Sequence, residues 1–214
     1  FMNLVKACRD KAEKEDMLAW LYDEDRWPSG FAGGYVTKTK KYRQKRILFT
    51  ESNKAHFPKE QAIEEGKPYL LGVYDIILDD SGRLTDYRLI GEDDVPQGKK
   101  RYAYVETAAD SGRYNGQAYV DTLSKEAMKE FIDITYEAYK KSVGESFGKS
   151  VPAIFTDEPQ FARKTRLSFA NSGENAYIPW TTDFADTFKE AYGIDITERL
   201  PEIFWDLADG KKSQ

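Results

Sequence analysis

Two adjacent carboxylates, Asp157 and Glu158, close the short apolar run Val151-Pro-Ala-Ile-Phe-Thr156 and are followed at once by Pro159. An apolar run without alternation suits a buried parallel strand, and such strands present their chemistry at their carboxyl ends. Pro159 stops the strand because it has no N–H for the ladder. Two acids at an apolar rim raise each other's pKa and burial raises both, which is the condition that keeps a general acid protonated near neutral pH. The plainer reading is that Asp157 caps the following turn while Glu158 is solvated. Further acids stand at the ends of two other apolar runs, Asp23 and Asp25 after Met17–Tyr22 and Glu106 after Arg101–Val105. Three strands delivering carboxylates to one rim would make a site; ion pairs with Arg26 and Arg113 are the structural alternative. Trp27 could stack on a flat ligand or simply pack on Pro28, and Trp180 has the same choice between stacking and packing at a helix cap.

The elements that must position these residues can be read in order. Asn3–Glu15 places Leu4, Val5, Ala7, Cys8 and Ala12 at helical spacing, an amphipathic helix. Met17–Tyr22 reads as a buried strand and Asp23–Gly34 as a ligand-type loop at its carboxyl end. Lys38–Arg46 is basic and reads as a solvated face, ahead of a strand at Ile47–Thr50. Tyr69–Leu78 and Arg83–Ile90 flank Asp79-Asp-Ser-Gly82, hairpin turn chemistry that marks an antiparallel insertion over about residues 66–98. Ser124–Ser142 is the clearest helix, with Ser124 as N-cap. Phe161–Ile178 is irregular, Pro179–Asp183 reads as a cap, Phe184–Tyr192 as a helix ended by Gly193, and Leu200 opens a last amphipathic segment. Strands separated by helices and long loops call for right-handed parallel crossovers. The expected fold class is therefore α/β: a partial or complete (β/α)8-like parallel sheet over residues 1–214, with the antiparallel hairpin inserted. In it, residues 17–22, 102–106 and 151–156 are parallel neighbours.

Composition narrows the function. The net charge of −5 and the pI near 5.2 argue against a nucleic-acid partner, because acids are interspersed among the Lys and Arg residues. No apolar run approaches the roughly 18 residues that span a bilayer. One cysteine, Cys8, excludes an intramolecular disulfide framework and a thiol metal cluster, and the one histidine, His56, reads as a surface loop residue. Aromatic residues make up 14 % of the chain, several beside Gly and Asp, an arrangement that suits sugars. The chain opens on Phe1 with no secretory signal after it, so it reads as a cytoplasmic segment of a longer protein.

Several of these stretches together resemble a known family. They are Leu21-Tyr-Asp-Glu-Asp-Arg-Trp-Pro-Ser-Gly30 with Ala32-Gly-Gly34, Tyr119-Val-Asp121 leading into the helix from Ser124, Phe155-Thr-Asp-Glu-Pro159, and Pro179-Trp180 before Phe188 and Tyr192-Gly193. They resemble the barrel domain of bacterial glycoside hydrolases of the rhamnosidase-like and galactosidase-like type. The resemblance covers most of the chain outside Tyr69–Ile90; the first motif is fairly specific, and Asp-Glu-Pro alone is weak. It implies a (β/α)8 barrel, a carbohydrate substrate and Glu158 as proton donor at the end of the fourth barrel strand. A whole barrel runs to about 250 residues, and the second carboxylate of related barrels sits on a late strand that this chain lacks.

Glycoside hydrolysis pairs a carboxylic acid with a carboxylate nucleophile or base. On this reading Glu158 is the catalytic acid, Asp23, Asp25, Glu106 and Asp157 surround the sugar, Trp27 and Trp180 stack on it, and neither metal nor cofactor takes part. A non-catalytic carbohydrate-binding or structural domain is the rival from another class. A third reading makes Asp157, Glu158 and Glu106 ligands of Mg or Ca. Half a barrel would leave sheet edges and an apolar face uncovered, so a homodimer or the remainder of a longer chain is the expected partner.

Overall fold

The computed structural model describes residues 1–208. In chain order its elements are α1 (Met2–Lys14), β1 (Leu21–Tyr22), β2 (Lys45–Thr50), α2 (Lys59–Glu65), β3 (Tyr69–Leu78), β4 (Leu84–Ile90), β5 (Lys99–Thr107), α3 (Lys125–Ile134), α4 (Tyr136–Val143), β6 (Ile154–Phe155), β7 (Ala176–Trp180) and α5 (Phe184–Tyr192). They sort into two units: Phe1–Arg43 with Ala109–Phe161, and Gln44–Ala108 with the chain from Ala162 onward.

The first unit is built around one short parallel pair, in which Leu21 of β1 sits opposite Ile154 of β6 and Tyr22 opposite Phe155. Leu21 is buried with Tyr139, Val143 and Val151, and Met2, Val5, Ala19 and Ile154 pack around them, so α1 and α4 cover one face of the pair. A second cluster joins Ala127 and Phe131 of α3 to Phe31, Val36, Tyr119 and Val120. Ser124 caps α3, its hydroxyl accepting the Ala127 N–H at 3.3 Å. The helix breaks at Thr135, whose hydroxyl donates back to the Phe131 carbonyl, a bond that bends helices. Cys8 is exposed on α1, which buries no residue fully.

The second unit is a five-stranded antiparallel sheet in the order β4-β3-β5-β2-β7. The hairpin expected between Tyr69 and Ile90 is present: the Asp79 carboxylate accepts the N–H groups of Ser81 and Arg83 at 2.9 Å, and Gly82 supplies the left-handed turn at φ 80°. Ile47, Phe49, Tyr74, Ile76, Val105, Trp180 and Leu200 form the core, with Phe49 stacked on Phe204 at 4.5 Å. β7 lies at an edge, where the missing N–H of Pro179 is tolerated.

This architecture corrects the expected fold. There is no (β/α)8 barrel: the described residues hold a two-stranded parallel pair and a separate antiparallel sheet. Residues 102–106 lie in β5, antiparallel to both β3 and β2, and are no neighbour of β1. Parallel pairing needs a crossover of a dozen or more residues; here β3 lies between β4 and β5 and pairs antiparallel with both. The other two strands shrink to two residues each. Met17, Leu18 and Trp20 are exposed, and Pro152 has no N–H to offer. The basic stretch is also less solvated than its charge suggests, since Arg43 and Lys45 are buried. Arg43 donates to the Thr37 carbonyl at 2.9 Å and pairs with Asp110 at 2.8 Å.

Candidate functional site

The loop that follows β1 is organised by two carboxylates with different work. Asp23 is fully buried. Its Oδ1 accepts the Ser29 hydroxyl at 2.6 Å, and its Oδ2 accepts those of Tyr136 at 2.6 Å and Thr156 at 2.7 Å. Ser29 Oγ in turn accepts the Asp157 N–H at 2.9 Å. Asp23 thus ties the loop after β1 to the segment after β6, with three hydroxyls already on its carboxylate. Burial, then the Asp23 carboxylate, push the Tyr136 phenol up to about 12, so it stays a donor at neutral pH.

Glu24, which the sequence reading passes over, gathers a ring of backbone donors. Its Oε2 accepts the N–H groups of Gly30, Phe31 and Ala32 at 3.1, 2.9 and 2.7 Å, and its Oε1 those of Gly33 at 2.6 Å and Asp25 at 2.9 Å. Ala32 and Gly33 take left-handed backbone at φ 49° and 60°, the conformation that turns successive N–H groups toward one anion. Burial pushes the Glu24 carboxyl above its ordinary value, and the N–H donors oppose that shift. The available signal was an acid six residues ahead of Gly30-Phe-Ala-Gly-Gly34.

Asp25 is exposed. The Asn115 amide at 2.9 Å and then the Arg26 guanidinium at 2.8 Å hold its carboxyl below the ordinary value, so it is ionised at neutral pH. A cleft of about 460 Å³ opens beside it, lined among others by Tyr22, Asp23, Glu24, Tyr35 and Asn115.

At the end of β6, Asp157 Oδ2 accepts the Tyr22 hydroxyl at 3.2 Å. Burial and then this contact raise the Tyr22 phenol. Glu158 takes left-handed backbone at φ 45°, strained for a residue with a Cβ. Its Oε2 accepts the Trp27 indole N–H at 3.1 Å, and the Arg113 guanidinium lies 4.5 Å from the Trp27 ring centre. Glu158 is exposed, not buried against an apolar wall as its sequence context suggested. The strand ends at Phe155, which is itself 53 % exposed. Neither Glu158 nor Trp27 lines the cleft beside Asp25.

The structure therefore groups Asp23, Asp25, Trp27, Asp157 and Glu158 in the first unit and places the other two candidates in the second. Glu106 stands on β5 and accepts both Nε and Nη2 of Arg46, at 3.1 and 3.0 Å. Trp180 is buried in the sheet core. His56 stands 3.6 Å from Glu92. Among the described residues no group of three or more His, Cys, Asp or Glu could hold a metal ion, and no helix is long and apolar enough to cross a membrane. Compared with family models, with characterised proteins and with solved structures, the chain matches none.

Proposed function

We propose that the first unit carries the proton-transferring carboxyl of a glycoside hydrolase acting on O-glycosidic bonds, and that this group is Glu158. The observation that supports it is the strained, left-handed backbone of Glu158 together with the Trp27 indole N–H on its carboxylate. Strain of this kind persists only where surrounding contacts over-determine it, and it clusters at functional sites. The motif resemblance at Tyr22–Gly30 and Phe155–Pro159 agrees with this role.

In this reading the Glu158 carboxyl gives its proton to the glycosidic oxygen as that oxygen's bond to the anomeric carbon breaks, the indole N–H stabilises the carboxylate formed, and water adds to the carbon and returns a proton to Glu158. Asp157, the preceding residue, accepts the Tyr22 hydroxyl, and ionised Asp25 accepts a hydrogen bond from a sugar hydroxyl. The exposure of Glu158 favours one rival, sugar binding without turnover. Glu158→Gln separates the two in assays of the full-length protein against a panel of natural and aryl glycosides. An enzyme loses turnover by orders of magnitude on natural glycosides while keeping its affinity. Aryl glycosides with good leaving groups are affected less, since they need less protonation. Full activity of Glu158→Gln on a natural glycoside defeats the proposal.

A further inference from the structure

The loop from Asp23 to Gly34 is gripped from outside by one tight turn. Ser111 donates its N–H to the Gln117 carbonyl at 2.7 Å, and its own carbonyl accepts the N–H groups of Tyr114 and Gly116 at 3.0 Å. The base of the turn is fixed. Arg43, itself buried, donates to the Gln117 side chain at 2.9 Å, and the Tyr114 ring packs edge-on against Phe31 with centres 5.3 Å apart. Two side chains leave its tip for the loop. Asn115 takes left-handed backbone at φ 56°, which Asn tolerates better than most residues. Its amide donates to Asp25 Oδ2 at 2.9 Å and to the Gly33 carbonyl at 3.0 Å, bridging loop positions on either side of Trp27. Arg113 lies over Trp27 itself, 4.5 Å from the ring centre. Of the two arginines that sequence spacing offered to the acids, Arg26 pairs with Asp25. Among the described residues no carboxylate pairs with Arg113, whose guanidinium meets the rings of Trp27 and Tyr114 instead.

Resting on the glycosidase reading above, we propose that Arg113 and Asn115 are positioning residues with separate tasks: Arg113 aims the Trp27 indole N–H at Glu158, and Asn115 holds Asp25 for a sugar hydroxyl. A cation is attracted to the face of an indole, and a planar guanidinium stacks on it. A ring held in this way keeps one orientation, with its single donor on Glu158 Oε2. The same cation polarises the ring and strengthens its N–H as a donor. Glu158 serves the proton transfer and Asp25 serves binding, so the two tip residues act on different kinetic constants. An N–H that steadies the carboxylate formed as the proton leaves favours the transition state over the bound substrate, and its loss falls on kcat. A displaced Asp25 weakens bound substrate and transition state alike, and its loss falls on KM. A turn that served stability alone would lower the folded fraction in both variants and show no such split.

The test joins kinetics of the full-length protein on a natural glycoside from the panel above with the proton spectrum of its indoles. Arg113→Ala should lower kcat about two- to fivefold with KM unchanged, which is what a cation over an exposed ring is worth. Arg113→Lys keeps a cation but not the planar fork, and should recover part of the loss. Asn115→Ala should raise KM about fivefold with kcat unchanged. Trp27→Phe keeps a ring under Arg113 and removes the N–H, so in that background Arg113→Ala should have no further effect on kcat. The same variant identifies the Trp27 indole resonance, which should move upfield in Arg113→Ala and stay in place in Asn115→Ala. Circular dichroism checks that the variants fold. The proposal is overturned by an unmoved resonance in Arg113→Ala, by an undiminished effect of Arg113→Ala in the Trp27→Phe background, or by both tip variants changing the same constant. If Glu158→Gln keeps full turnover, or no glycoside is turned over, the catalytic reading fails, and a resonance that moves in Arg113→Ala still establishes the positioning of Trp27. If Glu158→Gln abolishes turnover while that resonance is unmoved, the positioning alone fails.

Discussion

Removing the Glu24 carboxylate should loosen the loop that carries Trp27. In Glu24→Ala the N–H groups of Asp25, Gly30, Phe31, Ala32 and Gly33 lose a shared acceptor. Glu24 is partly buried, so water can reach some of them. Leaving about two without a partner, at about 1–2 kcal/mol each, gives about 2–4 kcal/mol. Relief of the carboxylate's own burial offsets about 1 kcal/mol of that, for a net loss of about 1–3 kcal/mol in the first unit. Glu24→Gln should be no milder, because its amide NH2 would face the same donors. Urea unfolding gives the size of the loss, and hydrogen exchange gives its place: the amides of Phe31, Ala32 and Gly33 should lose protection, while those of β3 and β5 stay unchanged. Formate at high concentration should restore part of the protection by occupying the vacated ring of donors. A stability change under about 0.5 kcal/mol, or the same amides already unprotected in the wild type, would refute the reasoning.

Other expectations follow from single contacts. Asp75 is fully buried; burial alone would raise its carboxyl, but the N–H groups of Gln97 and Gly98 and the Arg88 guanidinium outweigh it and hold the carboxyl below the ordinary value. Its folded value being lower than its unfolded one, the stabilisation is complete above the ordinary carboxylate range and is lost as pH falls through the folded value. Asp75→Asn should therefore flatten the fall of the urea midpoint between neutral pH and about pH 3. Gly98→Ala should cost more than about 3 kcal/mol in thermal or urea unfolding, because its Cβ would meet the Ile76 carbonyl oxygen at 2.1 Å. Tyr136→Phe removes one of three hydroxyls from Asp23 and should cost about 1–2 kcal/mol, read by the same unfolding assay. The Trp27 indole proton resonance should move upfield in Glu158→Ala, which removes its acceptor; an unchanged resonance would mean the contact at 3.1 Å does not form in solution.

What the sequence discloses depends on how local the cause is. The Asp79–Gly82 turn, the Ser124 cap and the helix ended by Gly193 are decided within a few residues, and the structure has all three. The direction of a strand's neighbour is not local. The run ending at Glu106 looks like the one ending at Asp157, yet its partners make it antiparallel. Grouping those acids on one rim was therefore an inference about topology, and topology overturned it. β7 escaped notice because Pro179 resembles a cap, whereas its Ala176, Ile178 and Trp180 alternate into the core. Asp23 and Glu24 were misjudged for a common reason. Hydroxyls from Tyr136 and Thr156 and a curled stretch of backbone N–H groups come from folded context, and residue type alone could not show that they occupy both carboxylates.

The two units are threaded through one another along the chain: the first opens before the second and closes before the second is finished. Asp23 meets Thr156 across 133 residues, and β2 gains its neighbour β7 only after that. On a ribosome, Asp23 must wait until Thr156 has emerged to gain that hydroxyl, and β2 stands at the edge of the sheet until β7 is made. Contacts of such long range are slow to close, and open strand edges invite association in the meantime. The order of synthesis thus leaves β2 exposed during translation, which makes this strand the segment where a chaperone or slower translation would most improve the yield of folded protein.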